Sequence, residues 1–378
     1  MAELVWKGKY TDQEWATDGQ GKLLISEPTT QHLYTYASFD SQSRAKQSNL
    51  LRQGWYNRLI RGDKSAVLPA LLSEFAGQIN LIYIDPPFMT GRNFKSGKQL
   101  AYSDKWGNNL DVYLQWLYET FILLRHLLAS NGSIYVHLDW RVTHYARVIL
   151  DEVFGLNPNA DGPGFKNEII WHYQSGGRSL KHYARKHDTI LLYSKSTQYR
   201  FHAERIGERR GAQKRNHMKK WIDSSGRVHW TISSAGRVYS YDEDTLMTPT
   251  DVWSDISHLH QRDPERNGYL TQKPAALLER IIMASSEEND LVLDCFCGSG
   301  VTPAVAGQLG RRWIASDQSE LAIKMTCERL LAQNRDHPFV MQRLAEEASE
   351  HVDSGTCGII ERANNQANQE IEIKEQSC

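Results

Sequence analysis

At 378 residues the chain exceeds one typical domain of about 100–150 residues, so a single α/β domain with a large insertion fits as well as two separate domains. Charged residues at 24% and hydrophobic residues at 40% are ordinary for a globular protein, and no apolar run approaches the roughly 20 residues that cross a bilayer. The net charge of −1 hides an asymmetry: residues 200–220 hold eight Lys or Arg against Glu204 and Glu208, a local +6 that leaves the rest at −7, as expected when only one face meets phosphate.

Residues 1–50 are mixed and polar and read as an N-terminal extension. Their start, Met-Ala-Glu-Leu-Val-Trp-Lys, lacks the charged-then-apolar pattern of a secretory leader, so a cytoplasmic location and no membrane partner are expected. Residues 57–63 predict a short strand entering a turn, and residues 65–75, with Val67, Leu68, Leu71, Leu72 and Phe75 at helical spacing, predict a helix. The apolar run at 80–84 predicts a buried parallel strand. An apolar-periodic helix follows over 110–129, closed by Asn131-Gly132, then a strand at 133–138, a helix at 141–154, and strands at 168–173 and 187–194. This alternation predicts an α/β fold with a doubly wound, mostly parallel sheet. It stops near Lys195. Residues 196–260 are basic, aromatic and punctuated by Gly and Ser without a sustained period, and read as an inserted module. Regularity returns with a helix from Lys273-Pro274 to Met283, a strand at 291–293, a glycine-rich loop, a helix at 301–309, a strand at 313–315 and a helix at 321–331. The expected divisions are therefore 1–50, a first half at 51–195, the insertion at 196–260, a second half at 261–342, and a polar, disordered tail at 343–378.

Two loops carry the chemistry. Asp85-Pro86-Pro87-Phe88 follows an apolar strand, where an open α/β sheet binds its ligands. A carboxylate there accepts from one N–H of an exocyclic amine while the Pro86 carbonyl accepts from the other, localising a lone pair otherwise delocalised into the base. Proline stiffens the loop, and Phe88 offers a stacking face for an extruded base. The bland reading is a strand-ending Asp before a rigid turn. The second loop, Asp294-Cys295-Phe296-Cys297-Gly298-Ser299-Gly300, also leaves a strand and enters a helix. Glycines two apart admit a ligand to the backbone. Pro303 breaks the full G-x-G-x-x-G spacing, which weakens a nicotinamide reading, while Asp317, about twenty residues on, can accept from both ribose hydroxyls. The five cysteines (Cys295, Cys297, Cys327, Cys357 and Cys378) are odd in number and lack C-x-x-C spacing, so neither a disulfide framework nor a metal site is expected.

D-P-P-F together with Phe296-x-Gly298-x-Gly300 resembles the amino-methyltransferases of DNA, which methylate adenine N6 or cytosine N4. With D-P-P-F first, the glycine loop second and a basic insertion between, the order resembles the β-class, a circular permutation of the Rossmann-like S-adenosylmethionine-dependent methyltransferase sheet. The likeness runs from about Asn57 to Arg329 and includes the segments 61–63, 132–139, 186–188 and 271–274. It implies S-adenosylmethionine as cofactor, with Asp63 at the cofactor adenine, Lys273 and Pro274 over its methionine end, and Asp85, Asp294, Phe296, Gly298, Gly300 and Asp317 completing the site. It implies Asp85, Pro86, Pro87 and Phe88 as the catalytic loop. Phe88 and Met89 depart from the Tyr and Asn common in the family: the stacking face stays, and a polar group is lost. Asp rather than Ser at the first position leans toward adenine N6, with cytosine N4 the alternative.

Reaching N6 within a duplex requires eversion of the nucleotide. Arg205, Arg209, Arg210, Lys214, Arg215, Lys219 and Lys220 are the expected phosphate contacts, with Trp221 and Trp230 available to stack or wedge. The counter-reading is a solvated charged loop with tryptophans as local core. Double-stranded DNA is thus the expected partner. The resemblance adds a homodimer and a cognate restriction endonuclease as further expectations. A silent DNA-recognition subunit is a competing class, which the intact D-P-P-F and Gly298-x-Gly300 oppose.

Overall fold

The computed structural model of the protein describes residues 3–9, 33–39, 55–96, 99–107, 109–156, 162–174, 179–210, 217–333 and 338–344. In chain order the elements are β1 (Leu33–Phe39), β2 (Asn57–Arg61), α1 (Lys64–Phe75), β3 (Ile79–Ile84), β4 (Asn93–Ser96), β5 (Gln99–Ser103), α2 (Leu110–Leu127), β6 (Leu128–Leu138), α3 (Thr143–Phe154), β7 (Gly164–His172) and β8 (His187–Ser194). There follow α4 (Ala203–Ile206), β9 (Glu208–Arg209), β10 (Lys219–Ile222), β11 (Val228–Ser234), β12 (Arg237–Asp242), β13 (Leu246–Met247), β14 (Val252–Trp253), α5 (Ala275–Ser285), β15 (Leu291–Asp294), α6 (Val301–Gln308), β16 (Arg312–Asp317), α7 (Glu320–Gln333) and β17 (Phe339–Leu344).

Ten strands form one sheet in the order β1-β17-β2-β16-β15-β3-β6-β8-β7-β14. The apolar strands are buried on both faces, so their neighbouring residues enter different cores. Ile82 and Ile84 of β3, Ile134 and Val136 of β6 and Leu293 of β15 pack with α1, α2 and α3. Leu81, Tyr83, Tyr135 and Val292 pack on the other side with α5, α6 and α7. The doubly wound α/β expectation holds. Strand β15 comes late in the chain yet lies centrally, paired in parallel with β3 on one side and β16 on the other. Chain order therefore reverses direction at β15, and the crevice between β3 and β15 is the topological switch point where such sheets bind ligands.

One interior strand departs from the parallel reading. β8 runs antiparallel between β6 and β7. The described residues joining β7 to β8 form no helix to carry the chain back across the sheet, and without a crossover the next strand must return antiparallel. The expected helix stop at Asn131-Gly132 is also corrected: α2 ends at Leu127 and β6 begins at once. Gly132 serves close approach, since a Cβ there would lie 2.9 Å from the Ile79 carbonyl oxygen.

At the chain start, Trp6 is buried edge-on against Tyr118 and donates to Gln115, covering α2. β1 adds an antiparallel edge strand to β17, which itself runs parallel to β2. The region 196–260 contains more regular structure than its sequence suggests. β10, β11 and β12 form a three-stranded antiparallel sheet, and β9 pairs with β13. The turn from β11 to β12 has both Ala235 and Gly236 at positive φ, the geometry that suits a two-residue hairpin. β14 rejoins the main sheet beside β7. The tail from residue 345 onward lies outside the described residues.

Asn57 ties three strands together. Its side-chain oxygen accepts from the Trp313 backbone N–H at 2.9 Å and the Trp55 indole at 3.0 Å, while its amide donates to the Pro338 carbonyl. Asn57→Ala orphans the buried Trp313 N–H, so urea titrations of the variant are expected to show a loss of about 1–3 kcal/mol in unfolding free energy. Unchanged stability would mean the bridge contributes nothing.

Candidate active site

Because β3 and β15 pair in parallel through Val292–Leu81 and Leu293–Ile82, the loops at their carboxyl ends leave the sheet side by side. Between them opens a cavity of about 660 Å³, lined by Asp63, Asp85, Pro86, Pro87, Phe88, Lys273, Asp294, Phe296, Gly298 and Asp317 among others. Ten residues singled out by sequence thus line one cavity. Pro274 and Gly300 are not among its lining residues. Pro274 is the N-cap residue of α5. Gly300 caps α6 in the left-handed region, and a Cβ there would fall 2.8 Å from the Thr326 Cα. Its smallness lets the loop pack on α7, a structural reason distinct from the ligand approach expected of it.

The D-P-P-F loop is held from behind. The Tyr113 hydroxyl donates to the Pro87 carbonyl at 2.8 Å. Met89 sits at φ 57°, and its N–H and that of Thr90 donate to buried Asp104 at 2.9 and 2.7 Å, joined by the Trp106 indole at 3.0 Å. Asp104 escaped the sequence reading because a lone loop Asp carries no spacing signal. Asp85 is ion-paired through Oδ2 to Lys273, whose ammonium also lies 5.4 Å above the Phe88 ring. Among the described residues no hydrogen bond occupies Asp85 Oδ1 or the Pro86 carbonyl.

Beneath Phe88 runs a buried polar chain. Phe88 stacks on His137 at 6.3 Å and 20°. The His137 ring nitrogens meet the Tyr83 hydroxyl at 2.9 Å and Asp188 at 3.1 Å, and Tyr173 donates to Asp188 at 2.9 Å. Burial works to raise the Asp188 pKa, but the hydrogen bonds from His137 and Tyr173 and the nearby Lys273 charge outweigh it and hold the group below the usual carboxylate range. His137 and Asp188 lie in motif segments noted above; only the fold joins them.

The glycine loop is fixed by carboxylates. Asp317 accepts from the Gly298 N–H at 3.0 Å and the Ser319 N–H at 2.8 Å, and Asp294 accepts from the Phe296 N–H at 3.0 Å. Gly298 has φ 48°, and a Cβ there would come within 3.1 Å of the Tyr269 ring. Burial pushes Asp294 up to about 7, with Asp85 and Asp317 adding to the effect, and burial pushes Asp317 up to about 6. Seven carboxylates line the cavity against three lysines. Such a lining favours a cationic ligand and repels a phosphate.

The expected DNA contacts are dispersed. Arg205 donates to the Ser286 carbonyl and lies near Glu204 and Glu287. That position is at the far end of α5 from Lys273, about 16 Å away at 1.5 Å per residue. Arg209 pairs with Asp244 at 2.9 Å. Arg210 is buried with its guanidinium 4.6 Å over Trp230, which is itself buried; the pair is the core of the small sheet. Lys219 and Lys220 are exposed on β10, and Trp221 stacks on His229. Lys214 and Arg215 lie outside the described residues.

The family model described as DNA methylase, for N6 and N4 methyltransferases, matches residues 79–328. The chain belongs to this DNA methylase family. Type II methyltransferase M.EcaI of Enterobacter cloacae is 30% identical over 354 residues, covering 81% of this chain and 75% of that protein. DNA adenine methyltransferase YhdJ of Escherichia coli (strain K12) is 29% identical over 276 residues, covering 72% and 82%. Among solved structures, a putative DNA modification methylase from Thermus thermophilus complexed with S-adenosyl-L-methionine is similar at 17% identity and TM-score 0.47, covering 76% of this chain and 98% of that one. S-Adenosylmethionine is the cofactor of this methylase, and the cavity fits it: the volume suits a ligand of its size, and the carboxylate excess suits its sulfonium and ammonium charges. Among the described residues no helix is long and apolar enough to cross a membrane.

The raised Asp294 pKa has a consequence for the ligand-free methylase. A carboxyl that ionises near 3.8 when unfolded and near 7 when folded gives stability that is complete below pH 3.8 and lost as pH rises to about 7. Asp294→Asn cannot ionise and escapes that loss. Urea titrations should therefore show the variant gaining on the wild type between pH 4 and pH 8, by on the order of 4 kcal/mol at 1.36 kcal/mol per pH unit. A difference that stays flat across this range would refute the burial argument.

Proposed function

We propose that this methylase transfers the methyl group of S-adenosylmethionine to adenine N6 of an everted base in double-stranded DNA. The observation that carries the reading is Asp85, a carboxylate at the cavity wall with Oδ2 committed to Lys273. Its Oδ1 can then accept from one amino N–H while the Pro86 carbonyl accepts from the other. These two acceptors draw the nitrogen lone pair out of conjugation. Phe88, braced on His137, supplies the face on which the base stacks. S-Adenosylmethionine, when bound, supplies a methyl carbon already electrophilic through its sulfonium. What the protein adds is position and charge: a loop whose backbone Asp104 and Tyr113 immobilise, opposite a glycine loop immobilised by Asp317. Lys273, Asp294, Phe296, Gly298 and Asp317 are the residues proposed to hold the cofactor, with Asp63 at its adenine.

Support for adenine comes from Asp rather than Ser at the head of the loop and from the name of the relative YhdJ, a DNA adenine methyltransferase. Cytosine N4 is the second reading, since the same two acceptors suit that amine equally well. Several relatives, M.EcaI among them, are called Type II methyltransferases, and the proposal includes a cognate restriction endonuclease directed at the same sequence.

Mass spectrometry of nucleosides from DNA treated with the purified protein is expected to yield N6-methyladenine. N4-methylcytosine in its place would overturn the choice of base. Asp85→Ala should cut the turnover number at least about 100-fold while DNA binding survives. Equal turnover would remove the carboxylate from the mechanism.

A further inference from the structure

The β7–β8 connection is unlike the other loops of the molecule. It leaves β7 through Tyr173 and enters β8 at His187-Asp188, and Tyr173 and Asp188 both line the cavity. Its far side is tethered to the same rim: the Arg185 guanidinium lies 3.8 Å over the Trp140 ring, and Trp140 directly follows cavity-lining Asp139. In its described part Leu180 is 102% exposed and Tyr183 98% exposed. Two fully solvated large apolar side chains three residues apart, in a segment whose ends adjoin the cavity, mark a surface that meets something. Charge identifies the partner. The described residues 179–186 contain Lys181, Arg185 and Lys186 and no Asp or Glu, so this stretch is complementary to phosphate, in contrast to the acidic cavity that its neighbours Tyr173 and Asp188 line.

We propose that the segment 179–186 is a DNA-inserting element, with Leu180 and Tyr183 occupying the space left in the duplex when the target base turns out and Lys181 and Arg185 contacting the flanking phosphates. The proposal rests on the reading that the methylase acts on an everted base in duplex DNA. Filling the vacated stack offsets part of the unstacking cost, which is a few kcal/mol. The segment is suited to this purpose because Tyr173 before it and Asp188 after it line the cavity proposed to receive the base. The aromatic ring and the leucine side chain supply apolar surface without requiring a base-specific contact.

The test uses the full-length protein and a duplex carrying the sequence that the wild type methylates, in two forms: fully paired, and with the target base opposite an abasic site so that its pairing is already lost. On the paired duplex Leu180→Ala/Tyr183→Ala is expected to lower kcat/KM at least about tenfold. On the abasic duplex it should come within about threefold of the wild type, with unchanged S-adenosylmethionine affinity by equilibrium dialysis. Lys181→Ala/Arg185→Ala should shallow the slope of log KM against log salt by about 2 on both duplexes, at about 0.9 per phosphate contact. Wild-type rates for the double alanine variant on paired DNA, or an equal loss on both duplexes, would overturn the inserting role. A wild type that methylates no DNA would instead defeat the functional reading beneath it.

Discussion

The parallel pairing of β3 with β15 is the constraint on which the site depends. Neither loop has a use alone: one offers an acceptor for an amine, the other a backbone cradle for a nucleoside cofactor. The two strands hydrogen-bond through Leu81, Ile82, Val292 and Leu293, all buried, so their register cannot slip without moving apolar side chains from one core to the other. The Lys273–Asp85 ion pair, spanning 188 positions of sequence, then locks the second half of the chain to the catalytic loop. Circular permutation is tolerated for the same reason. What matters is which strand ends adjoin, and loop-closure entropy grows only slowly with the length of chain between them.

Around that junction the protein separates its charges. Carboxylates are concentrated inside the cavity, where burial has raised Asp294 and Asp317 and where each also accepts a backbone N–H that shapes the glycine loop. The same groups therefore fix the loop and set a potential favourable to a cation. Outside it, the guanidinium groups of Arg141 and Arg185 both lie over the ring of Trp140, the residue after cavity-lining Asp139. A net charge near zero is the sum of these two opposed fields, and it describes neither.

Much of this was legible in sequence. Apolar runs bounded by turns marked the central strands, because strands buried on both faces need no alternation, and ten of the named site residues share the cavity because motif order carried the topology. The direction of β8 was less accessible: strand sequence is indifferent to parallel or antiparallel pairing, and only the lack of a helical pattern between β7 and β8 held the clue. β10 and β12 escaped notice because they are exposed almost throughout, leaving no apolar face to create a period. Asp104, Tyr83 and Tyr173 escaped for another reason. Each acts by bracing a neighbour that is distant in sequence, and no local pattern encodes a hydrogen bond formed across the fold.

Number of charges and placement of charges diverge between the two basic segments. The segment 200–220 holds the largest local excess of positive charge, yet the fold engages several of its arginines elsewhere: Arg210 lies under Trp230, Arg209 pairs with Asp244, and Arg205 joins the end of α5 farthest from Lys273. With a Debye length of about 8 Å at physiological salt, a charge some 16 Å from the cleft adds little to the potential at its mouth. The smaller excess in the described residues 179–186 has no carboxylate of its own to offset it and joins cavity-lining Asp188 two residues on. Placement relative to the reacting atoms matters as well as the number of charges, and this is why the proposed inserting element lies in the less basic segment.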